Sequence, residues 1–80
     1  MGRTAVRNSI RTWRFHADEM TQQDLAERVG VTRQTIVAIE KARYAPSLEL
    51  AFRIARTFEA PLEEVFSFDE DAADEPRSQE

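Results

Sequence analysis

Apolar residues recur at intervals of three and four residues in five successive segments of the chain, with polar residues between them. This spacing places the apolar side chains on one face of an α-helix. In the first segment, Val6, Ile10, Trp13 and Ala17 predict a helix over about residues 6–17. The alternation of apolar and polar residues that is typical of a half-buried strand is almost absent. The pattern therefore predicts an all-α fold.

The second and third predicted helices have distinct start and stop residues. Thr21 precedes a helical segment and Asp24 follows three positions later, close to the capping-box pattern. Gly30, which tolerates the left-handed turn of a helix end, closes this segment, and Thr32 starts the next one. The apolar faces of the two helices consist of Leu25, Ala26, Val29, Ile36 and Ile39. Two capped helices joined by a short turn predict a helix-turn-helix over residues 21–40.

Two further helices follow a break at Pro46, which disfavours helix at the residue before it. Ser47 is the expected cap of the fourth helix, and Pro61 occupies the first position of a short fifth helix, where its missing N–H is tolerated. Their apolar faces consist of Leu48, Ala51, Ile54, Ala55 and Phe58, then Leu62, Val65 and Phe66. Five short helices in 80 residues fit one small domain.

Charge divides the chain into parts. Its formal net charge is −4, which taken alone argues against nucleic acid as a partner. However, residues 69–80 hold six acids and one base, a net of −5, whereas the other 68 residues hold ten bases and nine acids, a net of +1. We therefore predict a flexible basic N-terminus at 1–5, a folded domain at 6–68 and a disordered acidic tail at 69–80. The tail either aids solubility or competes with an anionic ligand for basic residues.

Several classes of function lack support in the composition. The chain has no cysteine, one histidine, no glycine-rich phosphate loop and no apolar run long enough to span a bilayer. We therefore expect no enzymatic activity, no cofactor, no metal site, no membrane partner and no small-molecule ligand. The absence of cysteine fits a reducing compartment, and the expected location is the cytoplasm.

The start of the third helix carries side chains suited to DNA bases. In a helix-turn-helix the second helix enters the major groove with its N-terminal residues against base edges. Arg33 can bridge guanine, Gln34 can bridge adenine, and Thr35 can contact either a polar edge or a thymine methyl group. Ala38, one turn later, leaves room for close approach. Ordinary packing of a helical hairpin is the alternative interpretation of the same pattern.

Residues around these helices are candidates for contacts with the DNA backbone. Gln22 lies at the start of the second helix, where an amide and the helix N-terminus can hold a phosphate. Lys41, Arg43 and Tyr44 follow the third helix, where they can contact further phosphates.

With these residues in view, the chain resembles the phage-repressor-like helix-turn-helix family of transcriptional regulators (Cro/repressor, or Xre-like), above all its short stand-alone members. The segments that carry the resemblance are MTQQDLAERVGVTRQTIVAIE, ARYAPSLELAFRIARTF and PLEEVF, and the likeness covers roughly residues 6–67. The resemblance implies a five-helix domain that binds double-stranded DNA, usually as a homodimer on a palindromic site.

The resemblance also implies roles for individual residues. Arg14 and Glu40 match positions that form a partly buried ion pair, which we expect to orient the third helix. The predicted base-reading residues are Arg33, Gln34, Thr35 and Ala38. The predicted backbone contacts are Thr21, Gln22, Thr32, Lys41, Arg43 and Tyr44.

The chain departs from the family where glycine is common. Glu19, Ala42 and Glu59 stand at such positions, each near the end of a helix. Because alanine disfavours a left-handed backbone, a third helix that continues for another turn and moves Arg43 is an open alternative.

These observations predict a sequence-specific DNA-binding regulator, a homodimeric repressor on a palindromic operator. An alternative class is a protein-interaction module, such as an antitoxin or adaptor, that uses the same fold. Phe66 or Phe68 is the expected apolar contact of a dimer.

Overall fold

The computed structural model describes residues 3–73 and contains six helical segments and one pair of short strands within that range. In chain order the elements are β1 (Val6–Asn8), α1 (Ile10–His16), α2 (Gln22–Val29), α3 (Arg33–Glu40), α4 (Leu48–Thr57), α5 (Leu62–Val65), β2 (Phe66–Phe68) and α6 (Glu70–Ala73). The five predicted helices are all present, and the fold is helical as predicted. Both strands and α6 are additions to that prediction.

The start of the first predicted helix is wrong. Residues 6–8 form β1, which pairs antiparallel with β2 so that Val6 lies opposite Phe68 and Asn8 opposite Phe66. The side-chain oxygen of Asn8 then accepts a hydrogen bond from the Ile10 N–H at 3.1 Å, where α1 begins. The helical spacing of Val6 and Ile10 misled the prediction, because the strand partner lies some 60 residues away and leaves no local pattern.

Residues on either side of the predicted domain limits, 6 and 68, take part in regular structure or backbone hydrogen bonds. Thr4 donates its backbone N–H to the Ala42 carbonyl at 2.9 Å, and Ala5 accepts from the Asp69 N–H at 2.7 Å. Residues 69–73, within the predicted disordered tail, comprise Asp69 and α6. The remainder of that tail, 74–80, lies outside the described residues, as do residues 1 and 2.

The apolar faces of the helices meet in one core. Its largest side chains, which are almost completely inaccessible to solvent, are Ile10, Leu25, Ile36, Ile39, Ile54 and Val65. Each contributes roughly 1.5–3 kcal/mol by leaving water. At the edge of this core the rings of Trp13 and Phe58 stack with centroids 6.0 Å apart and join α1 to the end of α4. Within the core, α2 packs against both α3 and α4, which sets the orientation of the helix-turn-helix.

The predicted caps fix where α2, α3 and α4 begin. Thr21 and Asp24 form the complete capping box, with bonds of 2.9 and 3.2 Å to each other's backbone N–H groups. Thr32 and Ser47 likewise accept hydrogen bonds from the third residue of their helices. Gly30 has a φ of 83° and turns the chain from α2 towards α3. The short turn of the helix-turn-helix is therefore specified by local hydrogen bonds.

Three helix ends adopt the left-handed backbone without glycine. Glu19, Ala42 and Glu59 have φ values of 57°, 59° and 56°. After α3, the Ala42 N–H donates to Ile39 and the Arg43 N–H donates to Ala38, which together form a Schellman motif. The helix thus ends at Glu40 and does not continue for another turn, so the alternative of a longer third helix is wrong.

Candidate nucleic-acid interface

The outer face of α3 carries polar side chains that the fold leaves accessible. Ile36 and Ile39 are buried in the core, while Arg33 and Gln34 in the first turn are exposed. Ala38 is half-buried one turn after Gln34, so no long side chain stands in front of the helix there. This arrangement lets a large ligand approach the N-terminal half of α3 along its backbone.

Two threonines order the start of α3. The Thr32 hydroxyl accepts from the Thr35 N–H at 3.3 Å and lies 3.1 Å from the Thr35 hydroxyl. Each hydroxyl still has bonding capacity, since one hydroxyl offers one donor and two acceptor positions. The pair therefore fixes the helix start and leaves two polar groups at the surface beside Arg33.

Arg14 and Glu40 form a two-point ion pair beneath the other end of α3. Arg14 Nε donates to Glu40 Oε2 at 2.8 Å, and a terminal nitrogen of Arg14 donates to Oε1 at 3.1 Å. Only 14% and 10% of these side chains are exposed to solvent. Such a two-bond, largely buried pair holds α1 and α3 in a fixed relative orientation.

Other residues join this pair in a network. Arg14 donates from its remaining nitrogen to the Met20 carbonyl at 2.9 Å, and Gln22 Nε2 donates to Glu40 Oε1 at 3.2 Å. The Gln22 amide carries a second hydrogen, which is left for another acceptor. The network thus links the predicted phosphate-binding residue at the start of α2 to the C-terminal end of α3.

A shallow groove lies in front of this network between α1, α2 and α3. The predicted residues that line it include Thr21, Gln22, Arg33 and Lys41. The structure therefore brings one predicted base-reading residue together with three predicted backbone contacts. Gln34, Thr35 and Ala38 lie on the side of α3 outside this groove, and Arg43 and Tyr44 follow the helix end.

The groove also contains residues that the sequence pattern did not single out. Arg11 and Thr12 of α1, Gln23 of α2 and Val37 of α3 contribute to its walls. Arg11 belongs to the acid-free stretch at residues 1–16, and that was the one available signal. Val37 is half-buried and lies one turn from both Arg33 and Lys41, on the groove side of α3.

The electrostatics of the groove favour an anion. Its cations Arg11, Arg33 and Lys41 form no ion pair with any carboxylate in the part of the chain that the structure describes. Two carboxylates also line the groove: Glu40 is neutralised by Arg14, whereas Glu19 forms no ion pair among the described residues, so the unpaired cations outnumber the unpaired carboxylate by three to one. Three unneutralised cations beside a helix start are suited to a polyanion such as DNA.

Tyr44 occupies a different concavity. It lies with Val31, Ser47 and Arg53 beyond the turn of the helix-turn-helix, and 48% of its surface is exposed. Its phenol is therefore displaced from the groove, next to the N-terminus of α4.

A protein-family model described as Helix-turn-helix matches residues 17–65, more than half of the chain. The chain belongs to this helix-turn-helix family. The matched range contains α2, α3 and α4, and it ends in α5. The family is a class of DNA-binding proteins without enzymatic activity, so the expectation that the protein is not an enzyme is confirmed.

Helix-turn-helix regulators from archaea and bacteria are similar to this chain. An uncharacterised transcriptional regulator of Archaeoglobus fulgidus is 57% identical over 58 residues, which cover 72% of this chain and 82% of the relative. Another from Methanothermobacter thermautotrophicus is 59% identical over 63 residues, covering 75% of this chain and 91% of that protein. The cryptic phage CTXphi transcriptional repressor RstR from Vibrio cholerae is 32% identical over 68 residues, covering 85% of this chain and 60% of the repressor.

A solved structure shares the fold of this helix-turn-helix regulator. The crystal structure of a candidate DNA-binding protein from Bacteroides fragilis superposes with a TM-score of 0.66 and covers 78% of this chain and 98% of the other. The two sequences are 21% identical, so this likeness concerns the fold alone.

The resemblance to phage-repressor-like regulators is thereby confirmed, and the protein is a DNA-binding transcriptional regulator. Within residues 3–73, no helix has both the length and the apolar character that crossing a bilayer requires.

Proposed function

We propose that this regulator is a homodimeric repressor that binds a palindromic operator in double-stranded DNA. The observation that carries the proposal is the outer face of α3, where Arg33 and Gln34 are exposed at the helix start next to a groove with unpaired cations. The similarity to RstR, a transcriptional repressor, supports the direction of regulation.

Base reading is assigned to four residues of α3. Arg33 and Gln34 have side chains that can make two hydrogen bonds to one base, to guanine and adenine respectively. Thr35 and Ala38 provide a small polar and a small apolar contact along the same helix. The exposure of Arg33 and Gln34, together with the absence of a carboxylate partner for Arg33 among the described residues, supports this assignment.

Contacts to the DNA backbone are assigned to residues around the groove and past the end of α3. Gln22 supports this role with its free amide hydrogen and its position at the α2 N-terminus. Thr21, Thr32, Lys41, Arg43 and Tyr44 complete the predicted set, and all five are exposed. Arg11, which shares the groove with Lys41, is added to this set.

The Arg14–Glu40 pair is assigned a positioning role. Its bonds reach α1, the loop before α2, the start of α2 and the end of α3. A rigid connection between these four points sets the distance between the Gln22 amide and the base-reading face of α3. We therefore expect the pair to contribute to DNA affinity without touching DNA.

The proposed palindromic operator has two identical half-sites about one helical turn, or roughly 34 Å, apart. Two copies of the chain related by twofold symmetry would place one α3 in each half-site, and we therefore propose a homodimer. Of the two expected contact residues, Phe68 is 62% exposed, whereas Phe66 is half-buried against the core. Phe68 is therefore the better candidate for an apolar contact between copies. Leu48 and Phe52, one turn apart on α4, are also exposed.

Selection of bound duplexes from a random DNA pool tests the proposal. We expect an enriched inverted repeat whose half-sites lie on one face of the duplex. A single enriched half-site would contradict the homodimer. No enrichment, with binding that is independent of sequence, would contradict base reading and would favour the protein-interaction alternative, in which exposed apolar side chains such as Leu48 and Phe68 dominate binding.

A further inference from the structure

The acidic end of the chain begins beside the basic end of α3. Asp69 donates its backbone N–H to Ala5, and the neighbouring Thr4 donates its own N–H to Ala42, which follows α3. Because successive Cα atoms are about 3.8 Å apart, the backbone of Asp69 lies on the order of 10 Å from that of Ala42. Lys41 and Arg43 flank Ala42 and are exposed.

Side-chain contacts fix this juxtaposition. Arg7 pairs with the Asp69 carboxylate at 3.1 Å, and the same guanidinium donates to the Thr4 carbonyl. The strand pairing of β1 with β2 holds the two segments in register immediately before Asp69. The acidic segment is therefore anchored at its first residue on the side of the molecule where α3 ends.

The charge and the length of the acidic segment 69–80 suit it to bind Lys41 and Arg43. Residues 69–80 carry a net charge of −5, and the exposed Glu70 and Asp71 directly follow the anchor. No carboxylate of the described residues forms an ion pair with Lys41 or Arg43. The seven residues after α6 hold three further acids, and a peptide of that length can reach up to about 25 Å.

We infer that the acidic segment 69–80 is an internal competitor of DNA, which docks on Lys41 and Arg43 and must leave before phosphates bind there. This inference rests on the proposed role of both residues as backbone contacts. The tether keeps the local concentration of carboxylates high, so a weak contact suffices to reduce DNA affinity. Because phosphate contacts are common to all duplexes, the competition lowers the affinity for operator and for random DNA by the same factor.

The test neutralises charge only beyond the described residues, so that the fold and the Arg7–Asp69 pair stay intact. In the full chain, the triple variant Asp74→Asn/Glu75→Gln/Glu80→Gln removes three negative charges. At about 50 mM salt we expect it to bind a random-sequence duplex about three- to tenfold more tightly than the wild type. The gain should shrink to less than about twofold near 0.3 M salt, where charges are screened within about 6 Å.

A matched variant controls for net charge. Glu59→Gln/Glu63→Gln/Glu64→Gln makes the same change at three exposed residues that do not line the groove. We expect a clearly smaller gain from it than from the tail variant. Equal gains in the two variants, or no gain from the tail variant at low salt, would overturn the inference.

Nuclear magnetic resonance on the DNA-free proteins separates this inference from the proposed function. The amide signals of Lys41, Ala42 and Arg43 should shift between wild type and tail variant, and should not shift in the control. Unchanged signals would overturn docking even if DNA affinity rose. If neither protein bound DNA, the proposed function would fail, while these shifts would still decide whether the segment docks.

Discussion

Arg33 begins α3 and Lys41 directly follows its last residue, and both line the same groove, yet we assign them different tasks. Arg33 is at the helix start, where side chains meet base edges, and Lys41 follows the helix, where phosphates pass. Their residue types agree with this division, because a guanidinium forms a two-bond fork with guanine and an ammonium acts as a point charge. The division can be tested by substituting each residue.

Arg33→Ala should lower the preference for the operator over random DNA by about 1–3 kcal/mol, because one bidentate base contact is lost. Lys41→Ala should weaken operator and random DNA alike and should reduce the salt slope of binding by about one for each subunit, or about two for a dimer. Fluorescence anisotropy titrations on both duplexes measure these effects. An equal loss on both duplexes for Arg33→Ala would contradict its role as a base reader.

Glu59 illustrates a local cost that the fold tolerates. Its φ of 56° closes α4 through a Schellman motif, in which Glu59 and Ala60 donate to Arg56 and Ala55. The hydrogen bonds of that motif explain why the turn forms without glycine. The sequence revealed the departure from the family pattern at this position, but not which conformation the residue would adopt.

Glu59→Gly should raise the free energy of unfolding by about 0.5–1 kcal/mol. The left-handed backbone costs a residue with a Cβ roughly 1–2 kcal/mol, and the greater freedom of unfolded glycine offsets about half of that. Urea denaturation measures the change. Glu59→Ala keeps the Cβ and removes the charge, so an equal gain from alanine would assign the effect to charge.

At the scale of elements, capping and apolar spacing made the helices predictable, whereas the strand pair was not. The bonds that define α2 and α3 join residues no more than four positions apart. The pairing of β1 with β2 joins Val6 to Phe68. The sequence of β1 does not alternate, and that of β2 alternates over only three residues, which is too short to indicate a strand. The pairing of β1 with β2 in turn positions Asn8 next to α3. The Asn8 amide donates a hydrogen bond to the Ile39 carbonyl at 2.8 Å, which stabilises the end of α3.

The connection between α1 and α3 should be measurable as a coupling. Arg14→Ala and Glu40→Ala should each destabilise the protein, and their effects should fail to add by about 1–3 kcal/mol, since each substitution removes the same partly buried pair. A double-mutant cycle by thermal or urea denaturation gives this coupling. Additive effects would show that the two charges act independently.

At the scale of the whole molecule, DNA binding depends on how charge is distributed over the surface more than on the net charge. The net charge of −4 conceals a domain close to neutral, with unpaired cations at the groove and an acidic segment attached near the end of α3. A binding surface of this kind acts over short distances, and salt screens it. The dependence of DNA binding on salt therefore reports how many cations meet phosphates.

If Arg11, Lys41 and Arg43 each neutralise one phosphate, log K should fall with log salt at a slope of about −5 for a dimer and about −3 for a monomer. Titrations from 50 to 300 mM salt on one operator duplex, with sedimentation of the complex in parallel, measure slope and stoichiometry together. A slope near zero would contradict electrostatic contact by these residues.

The sequence by itself determined the helix-turn-helix, its caps and the polar residues on the outer side of α3, because hydrogen bonds and side-chain spacing within one or two turns specify them. Tertiary structure decided what required distant segments to meet. It bonded Gln22 to Glu40 beside the Arg14–Glu40 pair that the family resemblance predicted, added Arg11 and Val37 to the groove, and paired Val6 with Phe68. Those contacts depend on the packing of the whole core, which no local pattern encodes.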